Sequence, residues 1–165
     1  MPSISMTFEQ FAIRIQRVGP AVEQALNKHG AQVGIVVGKS VVDLTPVDVG
    51  TAKSNWQATF NSPAGTTRGA FVPGNYGDTD GANTQASIAA IIAKFRTRKK
   101  NAPMYLSNGL PYISRLEQSY NQIKRKYKPP PAKYQSHFAA ISVSRGEEEA
   151  KKVRGITKAI LKALR

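Results

Sequence analysis

Two imidazoles, His29 and His137, are all the histidine that this 165-residue chain offers, and it contains no cysteine. Catalysis needs a nucleophile, an acid–base pair or a metal cluster held together. Both histidines fall in stretches that read as helix, without an acid and a serine beside them. Asp78-Thr79-Asp80-Gly81 resembles the start of a calcium loop, but the later ligand positions and the closing Glu are missing, so it reads as a solvated turn. No Walker loop, dinucleotide fingerprint or Cys/His zinc spacing occurs. The expectation is a protein that is not an enzyme and has no catalytic residue, cofactor or metal.

The chemistry that remains is charge. Residues 1–93 carry six Lys/Arg against six acids, whereas residues 94–165 carry eighteen against four, so the net charge of +14 belongs to the second part. Such asymmetry calls for an acidic partner: nucleic acid, an anionic surface or an acidic protein. The candidate contacts are Lys99 and Lys100 in the run Lys94 to Lys100, and Lys124, Arg125, Lys126 and Lys128, which stand beside Pro129-Pro130-Pro131. Three prolines hold a chain extended. A solvated basic face with no ligand would have the same composition.

The elements that position these residues follow from periodicity. Thr7 and Gln10 form a capping-box pattern, and Phe8, Phe11, Ile15 and Val18 recur at helical spacing, predicting a short helix at about 7–18. Gly19-Pro20 interrupts it. A second, long helix is predicted over about 20–44, bearing Val22, Leu26, Val33, Val37, Val41 and Leu44. Gly30, Gly34 and Gly38 repeat every fourth residue along it, which predicts close packing on a sheet or a neighbouring helix. Asn55 to Phe60 reads as a strand holding Trp56. Residues 61–83 turn to Gly, Pro, Asn, Asp and Thr, a long loop or extended hairpin. Loops of that length in compact domains are usually functional, and ordering by a neighbouring subunit is the expectation.

Thr84 is expected to cap a third helix with Ile88, Ile91, Ile92 and Phe95. Met104-Tyr105-Leu106 follows as a short strand, Ser107-Asn108-Gly109 as a turn and Tyr112 to Leu116 as a further element. Phe138, Ile141 and Val143 suggest a helix or strand. A last helix is expected to begin at Glu147 to Glu149, whose charges suit a helix N-terminus, and to run to Arg165 with Val153, Ile156, Ile160, Leu161 and Leu164 as its apolar stripe. A basic amphipathic helix of this kind lies on a membrane, docks on a partner or packs on its own core. The fold class is α+β: a long N-terminal helix packed on a small, mostly antiparallel sheet, with further helices and a long loop or hairpin. An α+β domain at 1–131 and a basic helical extension at 132–165 are expected. A chain of this size buries roughly 68–70% of its unfolded surface, enough for one core. No secretory pattern or run of about 18 apolar residues is present, and a soluble, cytoplasmic protein with no membrane contact is expected.

Two segments carry a resemblance. Thr45-Pro46-Val47-Asp48-Val49-Gly50-Thr51-Ala52-Lys53-Ser54-Asn55-Trp56 is similar to the Thr-Pro-Val-Asp-Thr-Gly turn of the siphophage neck and tail-completion proteins. Tyr105-Leu106-Ser107-Asn108-Gly109-Leu110-Pro111-Tyr112-Ile113-Ser114-Arg115-Leu116-Glu117 resembles that family's Asn-Asn-x-Pro-Tyr-Ala-x-x-Leu-Glu segment. With the helices before and between, the resemblance spans about residues 20–120. Val49 stands where the family has Thr, and Gln118-Ser119 where it has an aromatic residue and Gly.

The physical reading of the motif residues is structural. Pro46 and Gly50 fix a sharp exit from the helix, Asp48 accepts backbone hydrogen bonds within the turn, and Trp56 buries its ring. Asn108 belongs to the second turn. Pro111 restricts Leu110, Tyr112 and Leu116 reach the core, and Glu117 stays free for a subunit contact. The resemblance implies a structural virion protein at the head–tail junction. It implies a homo-oligomeric ring, hexamer or dodecamer, that joins connector to tail, touches other phage connector and tail proteins and surrounds genomic DNA in its lumen. Another tail part, such as a terminator, stopper or portal adaptor, is the nearest alternative. The rival class is a freestanding nucleic-acid-binding protein whose lysines grip phosphates while Tyr120 or Tyr127 stacks on bases.

Overall fold

The computed structural model describes residues 7–119 and 137–152. The chain runs α1 (Phe8–Leu44), α2 (Thr51–Ser54), β1 (Trp56–Phe60), α3 (Asp80–Arg96), β2 (Met104–Asn108), α4 (Ile113–Ser119) and α5 (Phe138–Lys151). The fold is mixed α+β, a long N-terminal helix packed on a small antiparallel sheet with further helices around it. No helix among the described residues is long and apolar enough to cross a membrane.

The capping box forms as expected: Gln10 N donates to Thr7 Oγ1 at 3.3 Å, and Thr7 N donates to Gln10 Oε1 at 3.2 Å. The expected break at Gly19-Pro20 does not occur, and α1 continues through Pro20 for 37 residues, about 55 Å at 1.5 Å per residue. Proline's ring ordinarily drives the residue before it out of helical geometry by clashing with that residue's Cβ. Gly19 has no Cβ. The amide that Pro20 lacks is lost on an exposed face, where water reaches the freed carbonyl.

The glycine repeat is the seam between α1 and α3. A Cβ on Gly34 would stand 3.0 Å from the ring of Phe95, and one on Gly38 would stand 2.6 Å from Ile91 Cγ2. The Arg98 guanidinium lies over Gly30, donating to Asn27 O at 3.3 Å. The expected close approach is therefore to a helix. On a neighbouring face α1 receives α5, with Gly146 against Val33 and Val37 and Ser142 Oγ 3.1 Å from Ser40 Oγ. Ile35, Val41, Val42, Leu44, Trp56, Ile91, Phe95 and Phe138 make the core, and Phe138 meets Trp56 edge-on at 6.3 Å between centroids.

β1 and β2 pair antiparallel, with Trp56 opposite Asn108 and Phe60 opposite Met104. Asn108 thus ends a strand where the sequence suggested a turn. The face bearing Trp56, Ala58, Phe60, Met104 and Leu106 packs on the core. α3 starts at Asp80, one turn before Thr84, because Thr84 is drawn into an inner polar cluster as an acceptor for Lys53.

α5 also departs from expectation. It begins at Phe138, so Glu147 to Glu149 lie near its C-terminal end, where the macrodipole disfavours them. Burial decides the start: Phe138, Ser142 and Gly146 are packed inside, which outweighs a dipole preference of under about 1 kcal/mol. The segment Val153 to Arg165 lies outside the described residues.

The glycine seam gives a paired test. Gly38→Val should lower stability by about 1–3 kcal/mol, since the helix must back away from Ile91. Gly81→Ala, in open space in the first turn of α3, should instead raise it by up to about 1 kcal/mol. Urea unfolding midpoints distinguish the two signs.

Candidate functional site

The first motif folds into a compact corner. Thr45 takes the extended backbone that a residue before proline adopts, Pro46 is buried, and Val47 packs against Leu116 of the second motif. Gly50 sits at φ 85°, in the left-handed region, and caps α2. A Cβ there would press into Asn83, 2.8 Å from its Cγ, so glycine is required twice over. Trp56 is buried as expected, and its indole N–H donates to Thr45 Oγ1 at 2.8 Å.

The second motif meets the first through the sheet. Asn108 Nδ2 donates to Ala52 O at 2.8 Å, while Asn108 Oδ1 accepts from Leu110 N at 3.2 Å. Pro111 is exposed at the entry to α4. Tyr112 does not reach the core: it is 42% exposed, although partial burial still raises its phenol pKa above the ordinary value. Ile113 and Leu116 take the inward places. Glu117 is not free for a subunit contact either. Its carboxylate accepts from Ala139 N at 3.0 Å and its carbonyl from His137 N at 2.6 Å, so it caps α5.

The long loop is held by its own subunit, which overturns the expectation that a neighbour must order it. Thr59 Oγ1 donates to Ser62 O, Ser107 Oγ accepts from Ala64 N, and Gln57 Nε2 donates to Thr66 O. Asn55 clamps Arg68 on both sides, donating to its carbonyl at 2.6 Å and accepting from its amide at 2.9 Å. Asn83 does the same to Val72 at 2.8 and 3.0 Å, while Ser54 Oγ accepts from Phe71 N. Asp48 accepts from Tyr76 N at 3.1 Å through its carboxylate and from Gly77 N at 2.8 Å through its carbonyl. It therefore serves a distant loop, not its own turn.

Behind the loop, Lys53 is completely buried. Its ammonium pairs with Asp80 at 2.6 Å and donates to Thr84 Oγ1 at 2.8 Å and Asp43 O at 3.3 Å. Sequence reasoning counted Lys53 only as charge and missed Ser54, Asn55 and Asn83 as anchors. A signal was present: Asn83 and Ser87 continue the inward stripe of Ile91 and Phe95 at intervals of four, so polar groups were due inside.

Pinning the backbone inward leaves large side chains outside. Phe71 and Val72 are each 39% exposed, Val49 44% and Tyr76 65%, all on segments with anchored backbones. Arg68 lies over the Phe71 ring at 4.7 Å. Among the expected basic contacts, Lys99 is exposed beside a groove of 570 Å³ between β1 and the end of α3. Lys100 pairs with Glu23 at 2.6 Å. Lys124, Arg125, Lys126 and Lys128 lie outside the described residues, as do Tyr120 and Tyr127. The described residues hold no group of three or more His, Cys, Asp or Glu placed to bind a metal. Compared with protein-family models, curated proteins and solved structures, the chain matches none.

Trp56→Ala should cost about 3–5 kcal/mol, the range for a large buried aromatic, visible as a lowered melting temperature. Asn55→Ala should act locally: the Arg68 amide and carbonyl lose their part-buried partners, at about 0.5–1.5 kcal/mol for each hydrogen bond. Trypsin should then cut after Arg68 faster than in the parent, with the fragments read by mass.

Proposed function

We propose that this protein is a non-enzymatic structural subunit of a tailed-phage head–tail junction, a neck or tail-completion protein acting as a homo-oligomeric ring between connector and tail. The observation that carries this reading is the meeting of the two resembling segments. They stand some fifty residues apart in sequence, yet Trp56 pairs with Asn108, Asn108 bonds to Ala52 and Leu116 packs on Val47. The residues that carry the resemblance are spent on holding one corner together, as a scaffold requires.

The ring does not rest on loop disorder. Its support is the opposite property, an anchored loop presenting Phe71, Val72, Tyr76 and nearby Val49 to solvent. Rigid apolar side chains bind at low entropic cost, because little remains to be ordered. The basic excess after residue 93 suits a junction crossed by DNA or bordered by an acidic protein.

The test uses particles. Changing Lys124, Arg125, Lys126 and Lys128 together to Gln should leave the subunit folded but impair head-to-tail joining or DNA retention. A freestanding nucleic-acid-binding protein would instead lose affinity for duplex DNA, its logarithmic salt slope shrinking by roughly 0.9 per lost phosphate contact. Normal joining with unchanged DNA binding would refute both readings of this segment. Electron microscopy of the particle provides the separate test of the ring, and a junction without ring density labelled by this protein would overturn the assignment.

A further inference from the structure

Toward the N-terminus, the α1 face that receives α5 is covered by none of the other described residues. α5 touches Val33, Val37 and Ser40, and on the same face, about two to five turns nearer the N-terminus than Val33, stand Leu26, Val22 and Ile15. Leu26 and Ile15 are each 48% exposed, and these residues line a groove of 410 Å³ closed on one side by Arg98 and Asn101. Apolar side chains along three turns of a helix are seldom left to water in a soluble domain.

The other half of the argument is the direction of α5. Ser142 lies at Ser40 and Gly146 at Val37 and Val33, so the two helices run antiparallel and α5 heads toward the open stripe. Residues 153–165 follow the end of α5 in sequence. The inward positions of α5 are Phe138, Ser142, Gly146 and Glu149, the first three buried. Continued at 3.6 residues per turn, the same line passes through Val153, Ile156, Ile160 and Leu164. Thirteen residues of helix would cover about 20 Å, the distance along α1 from about His29 back to Arg17.

We propose that the occupant of the Ile15–Leu26 stripe is the chain's own segment 153–165, laid antiparallel as a continuation of α5. In that register Ile156 falls near Leu26, Ile160 near Val22, and Leu164 near Val18, one turn short of Ile15. The lysines and arginines of the segment, Arg154, Lys158, Lys162 and Arg165, are left for the outer face.

Because the parent has no cysteine, a disulfide reports the pairing directly. Full-length protein carrying Val22→Cys and Ile160→Cys should oxidise to a crosslink within one chain, at a rate independent of protein concentration. Gln24→Cys with Ile160→Cys, on the opposite side of α1, should give at least tenfold less. A crosslink between chains only, growing with concentration, would assign the stripe to a second copy and overturn the proposal. Hydrogen exchange supplies a measurement that needs no crosslink. In the Ile156→Asp, Ile160→Asp variant, amides of residues 15–26 should exchange at least tenfold faster than in the parent, while those of residues 33–44 are unchanged. Equal exchange at 15–26 in both proteins would show that the segment does not cover the stripe.

Discussion

The indole of Trp56 donates to the hydroxyl of Thr45, and that hydroxyl donates in turn to the carbonyl of Val41, one turn from the end of α1. This relay fastens the start of β1 to the end of the long helix. Each member is buried, so neither water nor another partner competes, and successive bonds polarise one another. Phe138 stacks edge-on against the same ring and places α5, and Asn108 lies opposite Trp56 and places β2. The orientation of three elements thus follows from one side chain whose polar end has a single acceptor to find.

The inner polar groups follow the same logic. A loop without a ladder must satisfy its backbone some other way, and here side chains from β1, β2, α2 and α3 supply what a third strand would have supplied. The bidentate amides at Asn55 and Asn83 imitate strand pairing one residue at a time. Lys53 lies behind them with no exposed surface and brings the end of α1, α2 and the start of α3 to one ammonium. Removing Asp80 would leave the buried Lys53 ammonium without its counter-charge, which makes the neighbours of this pair intolerant of displacement.

Much of this was readable from sequence where a local rule had no competitor. The capping box, the glycine seam, the burial of Trp56 and the α+β class all follow from spacing alone. The errors share one cause, tertiary burial overriding a local signal. Pro20 did not end the helix because Gly19 removed the clash. Glu147 to Glu149 did not start α5 because the burial of Phe138 and the carboxylate of Glu117 set its beginning nine residues before Glu147. Asp48 was marked as an acceptor within its own turn and Glu117 as free, but the donors they meet lie 28 and 22 residues away, beyond anything a turn rule sees. The loop was judged by its composition, whereas its order is written in the polar residues of other segments.

α1 has a mechanical consequence as well. From Glu23, where Lys100 ties it to the end of α3, to Leu44 it is fixed to the body by the glycine seam and by α5. The fifteen residues from Glu23 back to Phe8 extend a further 22 Å or so. Held by the described residues alone, this span acts as a lever arm whose fulcrum is the packed half, and the segment proposed to lie along Ile15–Leu26 would brace it. A tilt of about 10° at the fulcrum moves the tip by roughly 4 Å, about the width of a side chain. Phe8, 85% exposed at that tip, would travel farthest for the least repacking of the core.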